Sequence, residues 1–286
     1  MQEINRLLMP ILDHLLEKRG FDFSGYRVSM LERRISRRLS ATQCKDFQSY
    51  LTYLRHSSEE FDMLLDVLTI RVSSFFRDPL TFEFLAERIL PSIIDEKIRL
   101  KDNSLRIWSA GCAAGEEPYS VAILAHELLQ KEKLAMNLHL FATDIDANVL
   151  KEAEKAVYKA SSLENIRHIY LTRYFTQKGQ TFQLLPEIRK LVSFSQYDML
   201  DKKRGVPAAS IFGNFDLVLC RNLLIYFNTN YQKTILAKLH HAIARNGVLI
   251  LGQAEAPDLQ YRHCFSRAVD FSPIYRKCQE KITNEA

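Results

Sequence analysis

The sequence has no cysteine pair at C-x-x-C spacing: its five cysteines, Cys44, Cys112, Cys220, Cys264 and Cys278, are scattered and odd in number. That argues against a disulfide framework and against a structural zinc site, and it places the chain in the cytoplasm with its thiols reduced; no metal is expected. No apolar run approaches the roughly 20 residues that a membrane span needs, so no membrane insertion is expected. No internal repeat and no low-complexity linker breaks the 286 residues, a length of about two domains. The opening Met1 to Leu16 carries Glu3, Arg6 and Asp13 and reads as an amphipathic helix, not a signal peptide. Nor is there a coiled-coil seam, and a monomer is expected. What is present is ordinary globular composition, 47% hydrophobic and 26% charged, enough to bury a full-sized core.

Acidic residues are scarce in one place. Between residues 26 and 45 Glu32 stands alone against Arg27, Arg33, Arg34, Arg37, Arg38 and Lys45, a local surplus equal to the +5 of the whole chain. On a helix, Arg33 and Arg37 lie one turn apart, as do Arg34 and Arg38, so the four form a stripe. Leu31, Ile35 and Leu39 repeat on another face and would pack inward. The stripe suits docking onto an acidic partner, and it equally suits a solvated basic face; alone it decides nothing.

Proline is missing between Pro10 and Pro79, and up to about Leu68 the apolar spacing, as in Phe61, Leu64, Leu65 and Leu68, is helical. From Leu105 the texture changes. Leu105 to Ala110, Leu138 to Thr143, Phe215 to Cys220 and Gly247 to Gly252 are short, apolar and bounded by turn residues, as buried parallel strands are. Tyr119 to Lys131 between the first two is a helix with Pro118 near its start. The expected fold is an α/β open sheet preceded by a small all-helical domain, with domains at 1–72 and 73–286. Short β-like stretches at Tyr174–Thr176, Thr181–Leu184 and Val192–Ser195 predict a small antiparallel insertion over about 174–197.

The chemistry concentrates at strand ends. Leu105-Arg-Ile-Trp-Ser-Ala-Gly-Cys-Ala-Ala-Gly-Glu-Glu-Pro-Tyr-Ser120 runs a strand into a small-residue turn and then a helix. It lacks the third glycine of G-x-G-x-x-G and the G-K-[ST] of a phosphate loop. Glu116 and Glu117 would repel a pyrophosphate and suit a cationic ligand, such as a sulfonium with a free amino group; they also suit a plain helix start. The next strand ends Phe141-Ala-Thr-Asp-Ile-Asp146. Asp144 is placed to accept two ribose hydroxyls, while Asp146 caps the following helix. A third acid, Asp198 in Gln196-Tyr-Asp-Met-Leu200, is placed to accept from an adenine amino group.

Ser-Ala-Gly-Cys-Ala-Ala-Gly-Glu-Glu-Pro-Tyr-Ser, Ala-Thr-Asp-Ile-Asp and Cys220-Arg-Asn-Leu-Leu-Ile-Tyr-Phe227 resemble the chemotaxis receptor methyltransferases, S-adenosylmethionine-dependent protein-glutamate O-methyltransferases. Tyr26 to Leu39 and Ser73-Ser-Phe-Phe-Arg-Asp78 are similar to the same family, so the likeness spans nearly the whole chain. The resemblance implies a Rossmann-like methyltransferase sheet binding S-adenosyl-L-methionine, with S-adenosyl-L-homocysteine as product. It implies cofactor contacts at Ser73 and Arg77, at Ala110, Gly111 and Glu117, at Asp144 and Ile145, at Asp198 and Met199, and at Arg221 and Asn222. Arg77 and Tyr226 become the catalytic pair nearest the transferred methyl, with Arg77 positioning and not moving protons. Arg33, Arg34, Arg37 and Arg38 become the docking surface for the cytoplasmic domain of a methyl-accepting chemotaxis receptor. Phe75, Phe76, Leu223, Leu224 and Ile225 are expected in the core.

Two positions depart from the family pattern. Arg71 stands where Asn is usual and receives no role, and Gly252-Gln-Ala-Glu255 replaces Gly-His-Ser-Glu and is read as structural. The insertion's loop has Gly179 only and is short, which argues against tethering through a receptor C-terminal peptide. Two other readings stay open: a methyltransferase acting on a small molecule or RNA, and a cofactor-binding relic without turnover. No Asn-Pro-Pro-Tyr-type amino-methylating motif is present, and nucleic acid is not the expected partner.

Overall fold

The computed structural model describes residues 2–69, 73–201, 204–210 and 213–278; Arg71 lies outside the described residues. The chain divides into two compact units, Met1–Arg71 with Ile225–Tyr231, and Val72–Leu224 with Gln232–Ala286.

The first unit is built of helices α1 (Gln2–Arg19), α2 (Val28–Ala41), α3 (Phe47–His56) and α4 (Ser58–Thr69). Residues three and four apart supply its core: Leu8, Ile11 and Leu15 from α1, Leu31 and Ile35 from α2, and Phe61, Leu64, Leu65 and Leu68 from α4 are buried. Asp46 starts α3 with a capping box, accepting from the Ser49 amide while Ser49 Oγ accepts from its own. A buried carboxylate ties three helices together. Glu60 receives Arg38 through Nε at 2.9 Å and Nη2 at 2.5 Å, and Tyr50 Oη donates to it at 2.6 Å. Burial and the neighbouring Glu60 push the Tyr50 hydroxyl up, which keeps it a donor. Tyr50→Phe is therefore expected to cost about 1.5–3 kcal/mol, the range for a hydrogen bond to a charged group, read as a lower urea midpoint at unchanged m-value.

Ile225–Tyr231 packs with this unit although the sequence reading placed it in the second domain. The reason is a short backbone pairing. Tyr26 bridges Phe227 in antiparallel fashion, Arg27 N donates to Tyr226 O at 2.9 Å, and Asn228 N donates to Gly25 O at 2.9 Å.

The second unit carries strands β1 (Ser104–Ala110), β2 (Asn137–Asp144), β3 (Val157–Lys159), β4 (Phe175–Lys178), β5 (Thr181–Leu184), β6 (Val192–Gln196), β7 (Phe215–Cys220), β8 (Ile243–Leu251), β9 (Phe265–Arg267) and β10 (Ile274–Lys277). Its helices are α5 (Pro79–Phe84), running through a π-turn at Leu85–Ile89 into α6 (Leu90–Arg99), then α7 (Glu116–Lys131), α8 (Ala147–Lys155), α9 (His168–Tyr174), α10 (Pro186–Arg189) and α11 (Thr229–Ala242). Seven strands form one Rossmann-like sheet in the order β6-β2-β1-β7-β8-β10-β9. The pairs β6-β2, β2-β1, β1-β7 and β7-β8 are parallel, and β10 runs antiparallel to both β8 and β9. All six residues of β7 are buried, as the unbroken apolar run of a central parallel strand requires. The lone tryptophan, Trp108 in β1, is fully buried and donates Nε1–H to Thr143 Oγ1 at 2.9 Å.

The small antiparallel sheet is present, with a different membership from the expected one. Its order is β3-β5-β4, and Val192–Ser195 belongs instead to β6, a parallel edge strand beside β2. The subdomain thus draws on Val157–Lys159, three residues, too few for alternation to register. Phe75 and Phe76 are buried as expected, as is Leu224, while Leu223 and Ile225 are half-buried.

Candidate functional site

The order of the sheet fixes where a ligand belongs. The chain leaves β1 for β2 and β6 on one side, then crosses to β7 and β8 on the other. The crevice at the carboxyl ends of β1 and β7 is thus a topological switch point, the usual ligand position of open α/β sheets. Eight of the expected site residues lie at the carboxyl ends of these parallel strands. Ala110 ends β1 and Gly111 follows it, Asp144 ends β2 and Ile145 follows it, Asp198 and Met199 follow β6, and Arg221 and Asn222 follow β7; Tyr226 lies in the first unit.

The turn after β1 owes its shape to backbone conformation. Gly111 (φ +74°), Ala113 (+48°) and Gly115 (+92°) take left-handed angles. Gly111 and Cys112 both donate to Thr143 O, at 2.8 and 2.9 Å. Gly115 opens α7, and a Cβ there would meet Ala153, Tyr119 and Tyr158 at 3.1–3.2 Å. This glycine serves the close packing of α7 against α8 and β3.

Asp144 is held at both oxygens. Oδ2 accepts from Ala113 N and Oδ1 from Asp146 N, each at 3.0 Å. Each oxygen keeps a second lone pair, and the backbone fixes the carboxylate plane. Burial pushes its carboxyl above the ordinary range while these amides pull it down. Asp146 accepts from Asn148 N at 2.8 Å and caps α8, as its position in the sequence implies. Asp198 folds back onto Leu200 N at 2.7 Å.

Glu117 lies in the first turn of α7, half-buried, accepting from Ser109 Oγ at 2.7 Å and from Arg221 Nη1 at 3.2 Å. Burial raises its carboxyl, against the pull of Arg221 and Ser109. Arg221 is the hub. Its Nη2 donates to Arg77 O at 2.8 Å and to Asp78 Oδ2 at 2.7 Å, and its guanidinium lies 5.2 Å from the Phe82 ring centroid. Its Nε–H is buried with no partner among the described residues. Asn222, at φ +57°, is set by Glu255, whose Oε2 accepts from Asn222 N at 2.9 Å and Gly252 N at 2.6 Å. That gives Gly252-Gln-Ala-Glu255 its work: it fixes the loop after β7. Burial also raises Glu116, while Ser73 and Ser162 favour its charged form, which places Ser73 at the start of α7.

Asp78 and Glu255 were given no site role from sequence. Asp78 ends the Ser73-Ser-Phe-Phe-Arg-Asp78 motif, but its partner Arg221 lies 143 positions away, beyond any local pattern.

In the helical unit the arginine stripe divides. Arg33 and Arg37 are exposed. Arg34 is buried and donates Nη1 to Val67 O and Leu68 O, both at 2.9 Å, closing the carboxyl end of α4; its guanidinium lies 5.5 Å from the Tyr226 ring. Arg38 is consumed by Glu60. Of the four arginines expected at the docking surface, Arg33 and Arg37 are exposed, while Arg34 and Arg38 are engaged within the helical unit. The buried face of α2, wider than Leu31 and Ile35 alone, turns the latter two arginines onto α4, and Leu39 is only half-buried.

The unit 2 crevice thus offers half-buried carboxylates, Asp144 among them with spare lone pairs, and an orphaned guanidinium donor. That set fits a ligand with a cationic centre, a vicinal diol and a carboxylate, which is the inventory of S-adenosylmethionine.

The sequence matches the CheR methyltransferase SAM-binding domain over residues 71–268 and the CheR methyltransferase all-alpha domain over residues 8–69. It is 30% identical over 247 residues to chemotaxis protein methyltransferase 2 of Vibrio cholerae, covering 85% of this chain and 83% of that one. It is 31% identical over 247 residues to the chemotaxis protein methyltransferase of Salmonella typhimurium, covering 84% and 80%. A 104.1 kDa uncharacterized protein of Rhodobacter capsulatus, from the hypE 3' region, is 34% identical over 235 residues, 82% of this chain; the match spans 24% of that protein's length.

Proposed function

The chain belongs to the CheR methyltransferase family, an S-adenosylmethionine-dependent methyltransferase of chemotaxis, and from that premise we propose that its acceptors are glutamate side chains in the cytoplasmic domain of a chemotaxis receptor. The product is a glutamate methyl ester, formed in the cytoplasm by a monomeric enzyme. When bound, S-adenosylmethionine supplies an electrophilic methyl on a sulfonium; the chain's residues bind, orient and keep water away. Asp144 takes the ribose hydroxyls, Glu117 and Arg221 the amino-acid end, and Arg77 the acceptor. Arg33 and Arg37, exposed on α2, face the receptor's acidic methylation region.

The observation that carries this reading is the single network linking Arg77, Asp78, Arg221 and Glu117 at the carboxyl edge of the sheet. The test is methyl transfer from tritiated S-adenosylmethionine to receptor cytoplasmic fragments. Base-labile label on protein supports the reading. Label entering RNA or a small molecule would overturn the acceptor, and binding of S-adenosylhomocysteine with no transfer to any acceptor would make the chain a relic.

Asp144→Asn is expected to weaken S-adenosylhomocysteine by roughly ten- to hundredfold in calorimetry, about 1.5–3 kcal/mol for hydrogen bonds to a charged group. Either amide orientation sets an NH2 against the Ala113 or the Asp146 amide, so the acceptor pair is broken as well as discharged.

A further inference from the structure

We propose that Asp78 is a positioning residue for Arg77: its carboxylate, locked on Arg221, holds the segment 73–78 in a strained shape that fixes where the Arg77 side chain starts. The proposal rests on the reading of Arg77 as a cofactor and acceptor contact.

Two residues bracketing Arg77, Phe76 (φ +53°) and Asp78 (φ +59°), sit in the left-handed region. That region is unfavourable for any non-glycine residue, and such strain persists where the surroundings over-determine it. Upstream, Phe75 N donates to Ser162 O at 2.9 Å, and Phe76 N donates to Ser120 Oγ at 3.0 Å. Ser120 Oγ in turn donates to Glu116 O at 2.6 Å. Both phenylalanine rings are buried, Phe75 edge-on to Tyr158 and Phe175, Phe76 against Phe82 and Tyr170. Downstream, one nitrogen of Arg221 holds both Arg77 O and Asp78 Oδ2.

Asp78 also breaks a local rule. It occupies the position before α5, followed by Pro79, where an aspartate ordinarily caps the helix with its side chain. Here the side chain makes no capping bond. Its carboxylate is turned instead onto a guanidinium that also grips the preceding carbonyl. A helix cap is given up for a clamp on the peptide that carries Arg77, and local rules are broken in this way where function requires it. Without the Asp78 carboxylate, Arg221 retains the Arg77 carbonyl as its hold on this segment, and the strained turn can relax.

The full chain is titrated with S-adenosylhomocysteine by calorimetry as wild type, Asp78→Asn, Arg77→Ala and the double variant, with turnover measured beside it. Asparagine tolerates the left-handed region, and melting curves verify folding; Asp78→Gly, which adopts that region freely, replaces it if it does not fold. Asp78→Asn is expected to weaken binding about tenfold in the Arg77 chain and less than about twofold in the Arg77→Ala chain, the non-additivity of residues acting through one another. A merely structural Asp78 would lower affinity by the same factor in both backgrounds, and that result, or no weakening at all, overturns the proposal. Wild-type affinity and turnover in Arg77→Ala alone would instead overturn the reading of Arg77.

Discussion

Arg221→Met is expected to destabilise the protein by about 3–5 kcal/mol, the loss that follows removal of one partner from a buried ion pair. The side chain is 2% exposed and serves Glu117, Asp78 and the Arg77 carbonyl together. Methionine matches the stem and can stay against Phe82, so packing is largely kept and the electrostatic loss dominates. Arg221→Lys should recover part of it, because one ammonium cannot span three acceptors in the guanidinium's fork. The deficit has a predictable pH dependence. Burial already holds the Glu117 carboxyl above the ordinary range, with Arg221 opposing; without Arg221 it rises further. A carboxyl raised in the folded state contributes stability below its unfolded value, about 4.3, and loses it as pH climbs through the folded value. Urea unfolding should therefore show a small deficit for Arg221→Met near about pH 4.5 and the full one by about pH 8. A deficit that does not change with pH would mean that lost packing, not an unpaired carboxylate, is responsible.

The same cluster marks where sequence reasoning ran out. Strands such as β1 and β7 were legible because burial on both faces writes itself as a short continuous apolar run, and Asp146 was legible as a cap because capping is local. The membership of the small sheet was not. Val157-Tyr-Lys159 has too few residues to alternate, and Val192–Ser195 alternates like an antiparallel strand while pairing in parallel with β2. The partners of Arg34 and Arg38 were illegible for a related reason. Helical periodicity says which residues share a face, but what faces them depends on elements distant in sequence. Arg34 ends on carbonyls 33 and 34 positions away and Arg38 on a carboxylate 22 away. Periodicity treats such charges as solvated and is silent on the ion pair and carbonyl bonds that Arg38 and Arg34 make. The position of Asp144 was legible because it ends a strand, which the pattern of strands locates. Asp78 and Glu255 do their work through partners that only the folded sheet brings near.

Arg77→Ala should reduce methyl transfer on the order of 10²-fold or more, the scale for losing alignment at a reacting centre. The proposed acceptor, a glutamate with an ordinary value of about 4.3, is already an anion at neutral pH, so on that proposal the reaction asks for no general base. What it asks for is one carboxylate oxygen in line with the bond being broken and little water nearby. A guanidinium holds the second carboxylate oxygen with two parallel donors and so sets the direction of the first. The chain spends two left-handed residues and a shared Arg221 nitrogen on the peptide bearing this side chain, an arrangement that suits positioning better than proton transfer. Arg77→Lys should fall between, since a single ammonium attracts the acceptor without orienting it. A positioning role also predicts a level rate across about pH 6.5–8.5, where neither the acceptor nor a guanidinium changes charge. Tritium transfer to receptor fragments measures all three. Wild-type turnover in Arg77→Ala, or a steep rise with pH that the variant abolishes, would show that alignment by this side chain is not what limits the reaction.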